Sequence, residues 1–129
     1  MQRKSINPVA WSEKLGFDQG LLIEGQRRQL VCSGQDSVDE AGQPQHEGDM
    51  AAQVELSLDN LADVLAAGDM TFADVVRLSV FTTDVDEMFK NWGAIVARFG
   101  EGRFVTSVVG VDRLASSKLL VQLEATAVA

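Results

Sequence analysis

An α+β fold, with two helices on one face of a mixed sheet, is what this sequence predicts. Apolar side chains recur at helical spacing in two stretches, Val54–Leu65 and Met88–Phe99. They alternate at strand spacing in two others, Val75–Thr83 and 103–126. The order is strands, helix, strand, helix, strands, with no repeat and no linker, so residues 1–129 are expected to form one domain.

Each element has a local reason. Ser5-Ile6-Asn7-Pro8 ends a short extended lead-in, because Pro8 disfavours helix at Asn7. Phe17–Glu24 and Gln29–Ser33 read as two strands, with Gly25-Gln26-Arg27-Arg28 as a hairpin connection. Residues 33–48 lack apolar periodicity and form a long polar loop. Asp49 is the expected N-cap of the first helix, which buries Val54, Leu58, Leu61 and Leu65 and stops at Gly68. Asp86 opens the second helix, with Met88, Trp92, Ile95 and Phe99 on one side and Gly100 ending it. Two strands joined by a turn around Leu114–Lys118 close the chain.

Strand parity extends the expectation. Val105, Val109 and Val111 share one face, as do Leu119, Val121, Leu123 and Ala125, and both sets suit packing under the helices. The opposite faces carry Thr106, Val108 and Gly110, then Gln122, Glu124 and Thr126. With Phe81 also on that surface, it is only partly polar, and self-association is the cheaper way to bury it.

Composition limits the chemistry. Nineteen acidic residues against eleven basic ones give a net charge of −8, which argues against a nucleic-acid partner held through its phosphates. The single cysteine, Cys32, lies in an apolar run and reads as a small buried hydrophobe. No apolar segment follows Arg3 and Lys4 as a signal peptide requires, and no run is long enough to span a membrane, so a cytoplasmic location is expected. No phosphate-binding loop, dinucleotide fingerprint or zinc-binding cysteine set is present, and no cofactor or metal is expected. His46, the only histidine, sits in the polar loop and reads as a solvated side chain. Asp84, Asp86 and Glu87 are accounted for by a helix N-terminus.

Several short motifs then point to one family. Phe17-Asp18-Gln19-Gly20 is similar to a Tyr–x–Gln–Gly start, and Ser33-Gly34-Gln35 to a Ser–Gly–Gln strand end. Gln53 with Leu58-Asp59-Asn60-Leu61, and Asp74-Val75-Val76-Arg77 through Thr83-Asp84, follow in the same order. The closing block from Arg103 to Ala129 matches a strand of small residue–Arg–Ser–x–Val type, a turn, and a Glu–x–Glu–Ala strand. Together they resemble the YjgF/RidA (reactive intermediate deaminase) family.

The resemblance implies a chorismate-mutase-like domain that trimerises through the sheet face away from its helices, with a small-molecule cleft at each subunit interface. In deaminating members an arginine there binds the carboxylate of an imino or enamine acid, and a glutamate serves hydrolysis to a 2-keto acid and ammonia. The matching positions here are Thr106 and Gln122, and Phe17 stands in place of the tyrosine. Arg103, three residues before Thr106, points to the other face unless a bulge intervenes, whereas Glu124 shares the face of Gln122 and is a displaced acid. By correspondence the ligand cleft comprises Phe17, Ser33, Gly34, Trp92, Thr106, Val108 and Gln122, a neutral lining suited to an uncharged or aromatic ligand. Three functions follow as expectations. The first is a small-molecule-binding homotrimer that is not an efficient deaminase. The second is an enamine/imine deaminase relying on Arg103 or Glu124. The third is an endoribonuclease or translation-inhibitor role, which the acidic charge disfavours.

Overall fold

A computed structural model describes residues 1–129. Strand β1 (Gln2–Ile6) pairs antiparallel with β2 (Gly20–Glu24) as a separate ribbon. The remaining strands, β3 (Gln29–Val31), β4 (Gln35–Asp36), β5 (Val75–Thr82), β6 (Val105–Gly110) and β7 (Val121–Val128), form one sheet. Its order is β3-β7-β5-β6, with β4 also on β7. Helix α1 (Met50–Ala67), short α2 (Val85–Phe89) and α3 (Trp92–Phe99) complete the chain. The β5–β6 pair is parallel and all other pairs are antiparallel, which makes the sheet mixed, as expected.

Helix α1 forms where its stripe predicts. Asp49 accepts a hydrogen bond from the Ala52 amide at 3.0 Å, and Val54, Leu58, Leu61 and Leu65 are fully buried. Each such side chain contributes about 1.5–3 kcal/mol on leaving water. The helix stops at Gly68, but the left-handed residue is Asp69 (φ 57°). Leu30 packs closely on Gly68: a Cβ there would lie 2.8 Å from the Leu30 Cδ2, which would have to move aside. Beneath the helix, Leu78 and Val80 of β5 and Val121, Leu123, Ala125 and Ala127 of β7 share the core with Phe99 and Phe104.

Four expectations are corrected. The strands flanking Gly25–Arg28 are not a hairpin: β2 pairs with β1, and β3 pairs with β7. The amides of Arg27 and Arg28 both donate to the Ala129 carbonyl, at 2.8 and 2.9 Å, which turns the chain onto the long edge of β7. The closing strands are not neighbours, because the parallel crossover through α2 and α3 lays β6 on one side of β5 while β7 takes the other. The second helix divides at Lys90-Asn91, where the Asn91 side chain donates to the Glu87 carbonyl at 3.0 Å, and it begins one residue after Asp84, its N-cap. Finally, the faces of β6 are reversed. Thr106 and Val108 lie opposite the buried Leu78 and Val80 and so face the helices, while Val105 and Val109 face outward. Phe104, fully buried, sets this parity.

Candidate functional site

The reversal of β6 splits the expected cleft. Phe17, Trp92, Thr106 and Val108 come together on the helix side, joined by Trp11, Leu15 and Phe89 around a cavity of 290 Å³. The walls are aromatic rings meeting edge to face. Trp11 stands 5.7 Å from Phe17 at 82°, Phe17 stands 6.3 Å from Trp92 at 87°, and Phe89 leans on Trp92 at 6.4 Å. Such pairs each add about 0.5–1.5 kcal/mol beyond their burial.

The backbone holds these rings in place. A turn of 3₁₀ helix, Glu13–Leu15, presents Trp11 and Leu15 and ends at Gly16, whose φ of 88° favours glycine and whose Cβ would strike Val96. The Trp92 indole donates to the Leu15 carbonyl at 2.7 Å, fixing the ring across the cavity. At the base lies Thr106, whose Oγ1 is buried and has no hydrogen-bond partner. It is the one hydroxyl among the seven side chains that line the cavity.

Arg103 stands apart from this pocket. Its guanidinium grips Asp18, with Nε 3.1 Å from both carboxylate oxygens and a second, shorter contact from an Nη. Asp18 is buried and also accepts from Ser5 (2.6 Å) and Asn7 (2.8 Å), so one carboxylate ties β1, the start of β2 and the entry to β6. Burial alone would raise the Asp18 pKa. The hydrogen bonds from Arg103, Asn7 and Ser5, with the Arg103 charge, outweigh it and hold the carboxyl below its ordinary range. The same bond and charge raise the Arg103 pKa against a smaller effect of burial.

Ser33 is exposed in the link between β3 and β4, and Gln122, with Gly34 against its amide, belongs to the opposite side of the sheet. There an open hollow of 570 Å³ is lined by Phe81, Val111, Arg113, Leu114, Ala115, Gln122 and Glu124. Glu124 does share this face with Gln122, as expected. The Gln122 amide lies over Gly34, where a Cβ would come within 2.4 Å of it. Directly across the strand pair from Gln122 is Asp36, whose Oδ1 is buried without a partner. Burial raises its pKa, offset in part by the Gln122 side chain. The Arg113 guanidinium is exposed and donates to its neighbour's carbonyl, Leu114 O, at 3.2 Å.

Sequence reasoning missed Trp11, Leu15, Phe89, Asp36 and Arg113. Trp11 offered one signal, a tryptophan outside any periodic element of the sequence, and both tryptophans of the chain border this one cavity. His46 is exposed in the loop, and no group of three or more His, Cys, Asp and Glu side chains is arranged to hold a metal ion. Burial raises the Cys32 thiol pKa. No helix is long and apolar enough to cross a membrane.

Residues 17–129 match the model of the family described as Endoribonuclease L-PSP. The chain belongs to this YjgF/RidA family. The Rid-family protein YyfB from Yersinia pestis has a similar structure, with a TM-score of 0.90 and 31% identity over 100% of both chains. Protein DfrA of Myxococcus xanthus is 31% identical over 79% of this chain and 77% of its own length. The RutC family protein YjgH of Escherichia coli is 40% identical over 48% of this chain and 46% of its own. The family match starts at Phe17, so it takes in the Asp18–Arg103 pair and Thr106 but leaves out Trp11 and Leu15.

Proposed function

We propose that this member of the family binds a small neutral metabolite in a cleft completed between adjacent copies of a cytoplasmic homotrimer, and that it is not an efficient 2-iminoacid deaminase. The observation that carries this reading is the commitment of Arg103 to Asp18, which leaves the cavity around Thr106 without a guanidinium. A carboxylate entering it would meet aromatic rings and one hydroxyl. A charge-assisted hydrogen bond contributes roughly 1.5–3 kcal/mol, so loss of a bidentate pair slows turnover by about 100-fold or more.

The split of the expected site supports the interfacial part. Phe17, Trp92, Thr106 and Val108 lie on one side of the sheet and Gly34 and Gln122 on the other. One chain cannot close both halves around one ligand, whereas a second copy can present its open face to the first copy's pocket. A residual deaminase reading has its own support, because Arg113 and Glu124 border the same hollow as Gln122. The ribonuclease role remains disfavoured by the charge of −8.

Generation of 2-aminoacrylate in situ, followed by pyruvate formation, tests the chemistry. Turnover at least about 100-fold below that of an arginine-bearing relative is expected; comparable turnover overturns the reading. Light scattering should return three times the chain mass of 13.9 kDa. A monomer removes the interfacial cleft.

A further inference from the structure

The cavity on the helix side has features that narrow its ligand further than neutrality does. This chain's share of the cleft, 290 Å³, is at the small end for ligand sites and seats a single ring. Four of its seven lining residues are aromatic, two pairs of them meeting edge to face and Phe89 tilted on Trp92. No side chain that this chain contributes to it carries a charge. Its only side-chain oxygen, Thr106 Oγ1, is buried and unpartnered, whereas the indole N–H of Trp92 is already given to the Leu15 carbonyl.

A buried hydroxyl without a partner is uncommon and costly, because it has given up water and received nothing in exchange. A purely apolar occupant would leave that cost in place. A polar one would strand its other polar groups against Trp11, Phe17, Phe89 and Trp92. The lining therefore matches a ligand that is apolar over most of its surface and polar at one point.

We infer that the Trp11–Phe17–Phe89–Trp92 pocket takes an uncharged single-ring aromatic ligand carrying one hydrogen-bonding substituent, which is met by Thr106 Oγ1. This rests on the small-molecule reading above and adds the chemical class. Trp11, Leu15 and Phe89 become ligand-contacting residues, and Thr106 becomes a specificity determinant. A threonine hydroxyl both donates and accepts, so either a phenol or a ring carbonyl satisfies it.

The two tryptophans both border the cavity, so intrinsic fluorescence reports on this site alone. Titration with p-cresol, toluene and 4-methylbenzoate compares one ring body with a hydroxyl, with no polar group and with a charge. The expected result is a saturable change with p-cresol at about tenfold lower concentration than with toluene, and weakest binding of 4-methylbenzoate. Thr106→Val should abolish the preference for p-cresol while toluene still binds, and Thr106→Ser should retain it. Trp11→Ala should weaken p-cresol and toluene alike.

Binding of 4-methylbenzoate at least as tight as p-cresol overturns the neutral-ring class and leaves small-molecule binding intact. A p-cresol preference that survives in Thr106→Val overturns the role of the hydroxyl. Emission that ignores all three probes but shifts on dilution shows that a neighbouring copy fills the pocket, and overturns the inference. Emission that ignores the probes and dilution alike overturns it too. The aminoacrylate assay judges the reading beneath it separately.

Discussion

The two sides of the sheet are built on different terms. On the helix side, side chains from the 3₁₀ turn, α2, α3 and β6 pack ring against ring, and two contacts between distant parts of the chain hold the frame. On the open side, Gln122 and Glu124 of β7 and Arg113 line an open hollow, and Oδ1 of Asp36, on β4 opposite Gln122, is buried without a hydrogen bond. One side is a finished pocket with a single unmet hydroxyl. The other is a surface whose polar groups remain to be paired. The two halves therefore differ in what they do for stability: the pocket is coupled to the frame, whereas the open face carries a desolvated carboxyl, Asp36, that can be replaced without touching the core.

The largest test of that comparison is at Arg103. Breaking a buried ion pair from one side typically costs 3–5 kcal/mol, but the Arg103 side chain is 40% exposed, and Ser5 and Asn7 still reach Asp18. Arg103→Met should therefore destabilise by about 2 kcal/mol in denaturant unfolding. It should also loosen the tryptophan environment, because β1, β2 and β6 share this tie. The folded pKa of Asp18 is depressed, so its contribution is present above the unfolded value and is lost as pH falls through the folded one. In the Met variant burial acts without the cation, so the gap between variant and parent should narrow on acidification. A constant gap would show that Arg103 acts by packing alone.

The second test is at Thr106. Removing an unsatisfied hydroxyl while keeping shape should raise ligand-free stability by about 1 kcal/mol in Thr106→Val, read as a higher unfolding midpoint. A loss of stability would show that this hydroxyl has a partner in the free protein.

The smallest effect belongs to the open face. Burial raises the pKa of Asp36, so the folded state prefers it protonated. Its contribution is present below the unfolded pKa and is lost as pH rises through the folded value. Asp36→Asn should thus stabilise the chain at pH 7, by about half a kcal/mol given its partial exposure, and the gain should vanish near pH 3. A gain that persists in acid would assign the effect to hydrogen bonding instead of charge. Unlike the Arg103 change, this one should leave tryptophan emission unmoved.

Much of the fold was legible because its signals are local. The buried stripe of α1, the Asp49 cap and the alternation of β5 depend on residues within a turn or two of each other. The site was legible only as a set of names. Phe17, Trp92, Thr106 and Val108 do meet, yet Gly34 and Gln122, expected beside them, lie across the sheet, and Ser33 is not among the residues that line the pocket. Parity counted from Val109 and Val111 placed β6 wrongly. In a strand with apolar residues on both faces, alternation alone does not say which face is inside.

By itself, then, the sequence determined the α+β class, the helix stripe, the strand periods and, through its ordered short motifs, the family. All of these are properties of neighbours along the chain. Tertiary structure alone decided that β5 lies between β6 and β7, that Arg103 is consumed by Asp18 across 85 residues, and that Trp11 closes a pocket over Thr106. The physical reason is common to all three. A strand's partner, a cation's counter-charge and a ring's packing surface are chosen by what the folded chain brings near. No spacing in the sequence encodes that choice.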